Sequence, residues 1–77
     1  MPSLRQQFGA NLRLIRQQRK LTQEEFAELV GISVDFLSLI ERGINAPSFE
    51  VLEKMAHGLK LPVMALFDFH RQTRNRV

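Results

Sequence analysis

The chain has 77 residues, a formal net charge of +3 and no cysteine. That length gives one small domain near the lower limit of what a single core holds together, so an obligate partner is compatible with it. Without cysteine there are neither disulfides nor thiolate metal sites, and no apolar run approaches the ~18 residues of a membrane span. The N-terminus lacks a signal-peptide core, and the expected location is the cytoplasm.

Charge is unevenly placed along the chain. Residues 1–23 carry Arg5, Arg13, Arg16, Arg19 and Lys20 with no acid, and residues 71–77 add Arg71, Arg74 and Arg76. Residues 24–70 hold all eight acids against Arg42, Lys54 and Lys60. Basic ends of this kind are either phosphate-facing or simply solvated, and charge alone leaves both readings open.

In chain order, Leu4 to about Arg19 reads as one helix, because Leu4, Phe8, Leu12 and Ile15 recur at helical spacing and form an apolar stripe. Pro2 and Ser3 sit at or before its start. Leu14 lies off the stripe, as an exposed leucine or as part of a partner surface. The stretch Leu21–Gly43 then packs two start signals into about twenty residues. Thr22-Gln23-Glu24-Glu25 is a capping box, so a helix begins at Gln23 with Phe26, Ala27 and Val30 on its buried side. Gly31 can end it in the left-handed conformation. Ser33 caps a second helix, Asp35 suits its positive end, Leu37 and Ile40 continue the core face, and Gly43 stops it. Helices this short need packing from the flanks.

Ile44-Asn45-Ala46-Pro47 is a loop, with Ala46 biased to extended geometry by Pro47. Ser48 caps a fourth helix carrying Phe49, Leu52, Met55, Ala56 and Leu59, in which Gly58 weakens the last turn. Pro62 opens a final short helix from Val63 to about Phe69. Its apolar residues Val63, Leu66, Phe67 and Phe69 exceed one narrow stripe, which fits either a dimer surface or a cover over the core. Alternation never persists over four residues, so no strand is expected. The expected fold is all-α, five short helices in a compact domain over residues 1–69, followed by a frayed basic tail at 70–77.

The segments IRQQRKLTQEEFA, the Gly31-Ile32-Ser33 turn, Ile40-Glu41-Arg42-Gly43 and Pro47-Ser48 together resemble the phage-repressor type of helix-turn-helix domain, the Cro/cI or XRE family. The resemblance runs from about Phe8 to Phe67. It implies a compact five-helix domain, usually dimeric, that binds operator DNA and regulates transcription. It further implies that the helix matching Ser33–Arg42 enters the major groove, with Val34, Asp35, Phe36, Ser38 and Leu39 facing base edges, Phe36 being equally able to wedge against a neighbouring helix. Thr22, Gln23, Ser33, Arg42 and Asn45 fall where relatives hold the sugar–phosphate backbone, in keeping with helix N-termini as anion sites. Arg16 and Glu41 match a structural ion pair.

The departures are specific. Lys20 stands where relatives often carry glycine, so the turn is made by a strained lysine or a different cap. The loop after Gly43 is not basic. The reading face has no arginine, asparagine or glutamine for bidentate base contacts, leaving Ser38, Asp35 and apolar touches on thymine methyls, with DNA shape as a further source of preference.

Plainer roles cover much of the rest. Met55 and Met64 read as gap-fillers in or near the core. His57 and His70 are thirteen residues apart with no cysteine or acidic cluster at ligand spacing, so no metal is expected. No cofactor, small-molecule ligand or membrane is expected, and an enzyme lacks any phosphate loop, metal set or nucleophile–base pair. The leading expectation is a homodimeric repressor-like regulator of double-stranded DNA without a sensor domain. The alternative is a protein-interaction module, such as an antitoxin, that keeps the fold with little specific DNA binding.

Overall fold

The computed structural model describes residues 1–70; the Arg71, Arg74 and Arg76 tail lies outside the described residues. Four α-helices, α1 (Leu4–Gln18), α2 (Gln23–Val30), α3 (Val34–Glu41) and α4 (Phe49–Leu59), are followed by a 3-10 helix, Val63–Phe67. No strand occurs among the described residues, and none of their helices is long and apolar enough to cross a membrane.

Each α-helix starts on a hydroxyl. Ser3 and Thr22 form full capping boxes with Gln6 and Glu25, while Ser33 and Ser48 accept from the N–H groups of Phe36 and Val51. Each also ends in the same way. Lys20, Gly31, Gly43 and Lys60 all have positive φ, and the next residue's N–H returns to a carbonyl five residues back. These return bonds run from Leu21 to Arg16, Ile32 to Ala27, Ile44 to Leu39 and Leu61 to Ala56, at 3.0–3.2 Å. The left-handed turn and return bond together satisfy carbonyls the helix leaves open. Leu21, Ile32 and Leu61 then fold back against the core. Lys20 therefore makes the strained turn in place of glycine, and Lys60 makes a second one that its sequence does not announce.

The last element differs from the expected α-helix to Phe69. Pro62 has no N–H and fixes the entry, and five residues accommodate only tight i→i+3 bonds, Ala65 to Pro62 at 2.9 Å and Asp68 to Ala65 at 3.3 Å.

The core gathers Phe8, Leu12 and Ile15 of α1, Phe26, Ala27 and Val30 of α2, Leu37 and Ile40 of α3, Leu52, Met55 and Leu59 of α4, and Leu66. α3 packs between α1 and α2, α4 packs on α2, and the 3-10 helix closes over α1 and α4. Two glycines allow the close crossings. A side-chain carbon at Gly9 would overlap the Ile40 carbonyl of α3, and one at Gly58 would meet the Leu29 carbonyl of α2 at 2.9 Å. Gly58 is thus a crossing point between helices, not a weak last turn. Asn11, fully buried, donates from Nδ2 to the Leu66 carbonyl at 2.8 Å and so ties α1 to the closing 3-10 helix.

Several expected positions are corrected. Leu4, Phe49 and Met64 share helical periodicity or apolar character with core residues, yet they are 61%, 82% and 78% exposed. Leu4 and Phe49 lie in the first turns of their helices, where no neighbouring element closes over them. Leu66 is the reverse: it is completely buried within the chain, so it has no surface to offer a dimer partner.

Candidate nucleic-acid interface

The polar centre of the molecule is built around Glu41, the last residue of α3. Its carboxylate accepts from Arg16 Nε at 2.7 Å and Nη2 at 3.1 Å, and from Gln23 Nε2 at 3.1 Å. Arg16 also donates from Nη1 to the Leu21 carbonyl at 2.9 Å, which braces the turn between α1 and α2. Arg16 is a residue of α1 and Gln23 the first residue of α2, so one carboxylate fastens three helices. The pair is nearly dry, with the side chains 12% and 3% exposed, so the two-donor geometry is what makes burial of both charges tolerable. Arg16 thus commits one N–H from each of its three nitrogens inside the protein.

Outside this network lies an open polar cleft lined by Arg13, Arg16, Gln23, Ser38, Glu41 and Arg42. Arg13 and Arg42 are exposed on its walls, and among the described residues neither guanidinium has a side-chain partner. The cleft therefore offers two free cations, an anchored amide and a serine hydroxyl beside α3. Acceptor-rich ligands such as phosphates fit that chemistry. Arg13 stands one turn before Arg16, and that i, i+3 spacing is the sequence signal that places it beside the ion pair.

The other anticipated positions divide clearly. Asp35 is exposed in the first turn of α3, and Ser38 and Leu39 are half-buried. Val34 and Phe36 are half-buried and give part of their surface to the core. Thr22 and Ser33 are exposed caps whose oxygens accept from Glu25 N–H and Phe36 N–H at 3.1 Å, leaving each O–H free to donate. Asn45 is half-buried in the loop after α3, its N–H returning to Leu39 O at 3.3 Å. The Gly43 turn is braced from behind: a Cβ there would meet Gln6 Cγ at 2.8 Å. No group of three or more histidine or acidic residues that could hold a metal occurs among the described residues.

On a separate surface, Leu4, Phe8, Ala46, Pro47, Phe49 and Phe67 line an apolar groove. Phe67 lies against Phe8 with ring centroids 5.0 Å apart and against Phe69 at 6.3 Å. Val63 and Phe67 are 40% and 37% exposed, whereas Phe69 is half-buried and packs on the core.

Two short helices joined at a glycine turn, the second flanked by a cation-lined cleft, define the class as a helix-turn-helix domain. The helix-turn-helix family HTH_3 matches residues 12–66, and the chain belongs to that family. It is 40% identical over 58 residues to the immunity repressor protein of Bacillus phage phi105, covering 75% of this chain and 40% of that repressor. It thus spans about two fifths of that relative's length. The clp gene regulator ClgR from C. glutamicum superposes with a TM-score of 0.82 at 33% identity, covering 95% of each chain. The restriction-modification controller protein C.AhdI from Aeromonas hydrophila superposes with a TM-score of 0.77 at 31% identity, over 80% of this chain and 94% of that one.

Proposed function

We propose that the protein is a sequence-specific regulator of transcription that binds double-stranded DNA as a homodimer. The observation that carries this reading is the gathering of Arg13, Gln23, Ser38 and Arg42 in one cleft beside α3. In this reading α3 lies in the major groove with Val34, Asp35, Phe36, Ser38 and Leu39 toward the bases. Thr22, Gln23, Ser33, Arg42 and Asn45 hold the sugar–phosphate backbone, and Arg13 joins them. Two subunits place their α3 helices in successive grooves about 34–36 Å apart on a pseudo-palindromic site. The covering partner for the exposed apolar residues Phe49, Val63 and Phe67 is a second copy of the chain, because a two-fold DNA site is matched by a two-fold protein.

Fluorescence titrations of variants test the docking face. Gln23→Ala with Arg42→Ala removes phosphate contacts and weakens binding to all sequences alike, whereas Ser38→Ala changes preference among sequences. If neither change alters binding, α3 and its cleft are not the docking face.

A further inference from the structure

We infer that Glu41 is a positioning residue for DNA binding, acting through Gln23. This rests on the DNA-binding reading and deepens it. An acid at the edge of a phosphate-facing cleft is electrostatically adverse, and its removal alone would tighten DNA binding. Glu41 nevertheless occupies that place with its side chain 3% exposed, and it holds Gln23 Nε2 at 3.1 Å.

The consequence follows from what each group can do. A carboxylate accepts only, so it fixes which end of the Gln23 amide turns inward: the nitrogen. One Nε2–H is then committed to Glu41, and the second is left to donate to a phosphate oxygen at the cleft that Gln23 lines together with Arg13 and Arg42. Gln23 is also the first residue of α2, where backbone N–H groups have no partner within the helix. A free amide would present its carbonyl oxygen to phosphate in part of its orientations and lose rotamer entropy on binding. Glu41 removes both penalties. Arg16 holds Glu41 in place with Nε and Nη2 while Nη1 braces the Leu21 carbonyl.

The test is a double-mutant cycle read as affinity for a short mixed-sequence duplex at fixed low salt, with folding of each variant checked by circular dichroism. Gln23→Ala and Glu41→Gln each weaken binding, by roughly tenfold for loss of one hydrogen bond to a charged group. The double variant is no weaker than Gln23→Ala alone. Glu41→Gln binding as tightly as wild type or tighter overturns the inference. So does an equal cost of Glu41→Gln in both backgrounds, which marks a role in placing α3 only. Wild-type protein that fails to bind the duplex overturns the DNA-binding reading itself. If Glu41→Gln does not fold, the side-chain amide protons of Gln23 in wild-type protein decide by NMR. One is protected from solvent exchange before DNA is added and the other shifts on addition; equal exchange of both overturns the inference.

Discussion

Gly9 of α1 lies so close to Ile40 of α3 that a side-chain carbon on Gly9 would overlap the Ile40 carbonyl oxygen and reach the backbone carbonyl oxygen of Glu41 at 2.8 Å. This crossing sets the distance between the first helix and α3, and with it the span that Arg16 bridges to Glu41. Two effects oppose each other at Gly9. Helix propensity favours alanine over glycine by about 1 kcal/mol in a helix interior. Overlap with a backbone oxygen that cannot rotate away costs about 3 kcal/mol. Packing wins, so Gly9→Ala lowers stability in a urea melt. A gain in stability would show that α1 and α3 are not in close contact.

Removal of one member of the buried ion pair leaves the other without its counter-charge. Arg16→Ala also strands the Leu21 carbonyl, which Arg16 Nη1 otherwise satisfies. The expected loss is about 3 kcal/mol, a large share of the stability of so small a domain. The denaturation midpoint with the slope unchanged is the measurement; a shift within about 0.5 kcal/mol would place the pair among ordinary surface salt bridges.

Lys20 and Lys60 both hold φ of +58°. A non-glycine residue in the left-handed region costs about 1–2 kcal/mol, part of which glycine returns as unfolded-state entropy. Lys20→Gly and Lys60→Gly each stabilise the protein, by about 0.5–1 kcal/mol, and the gains add in the double variant because the two turns belong to different helices. A thermal melt of the three variants checks this.

These particular residues show what was legible in the sequence. Three caps, Thr22, Ser33 and Ser48, were readable because a hydroxyl at a helix start acts locally, through an oxygen and an N–H three residues on; the Ser3–Gln6 capping box is added by the structure. The turn at Gly31 was readable for the same reason. The lysine turn at Lys60 was not, since lysine carries no left-handed preference and the geometry is imposed by Leu61 folding onto the core. Leu4, Phe49 and Met64 read as apolar partners because periodicity or composition reports apolar character but not whether another element covers it. Asn11 and the Gln23–Glu41 bond join residues 55 and 18 positions apart, and nothing local in the chain announces such contacts.

Phe49 is 82% exposed, so its replacement by serine leaves the monomer's stability within about 0.5 kcal/mol. If the groove it borders is covered by a second copy, Phe49→Ser shifts the protein toward monomer in sedimentation equilibrium and weakens DNA binding in proportion to the lost dimer. Unchanged mass and unchanged binding would place the dimer contact elsewhere on the surface.

The most direct measurement is a titration of the wild-type protein against the DNA upstream of its own gene, with mixed-sequence duplex as the comparison, over a series of salt concentrations. A sequence-specific regulator binds the upstream DNA about 10³-fold or more tightly than mixed sequence, and both affinities fall steeply as salt rises. Equal, salt-sensitive binding to both duplexes would contradict sequence-specific regulation there, and no binding to either would contradict DNA recognition altogether.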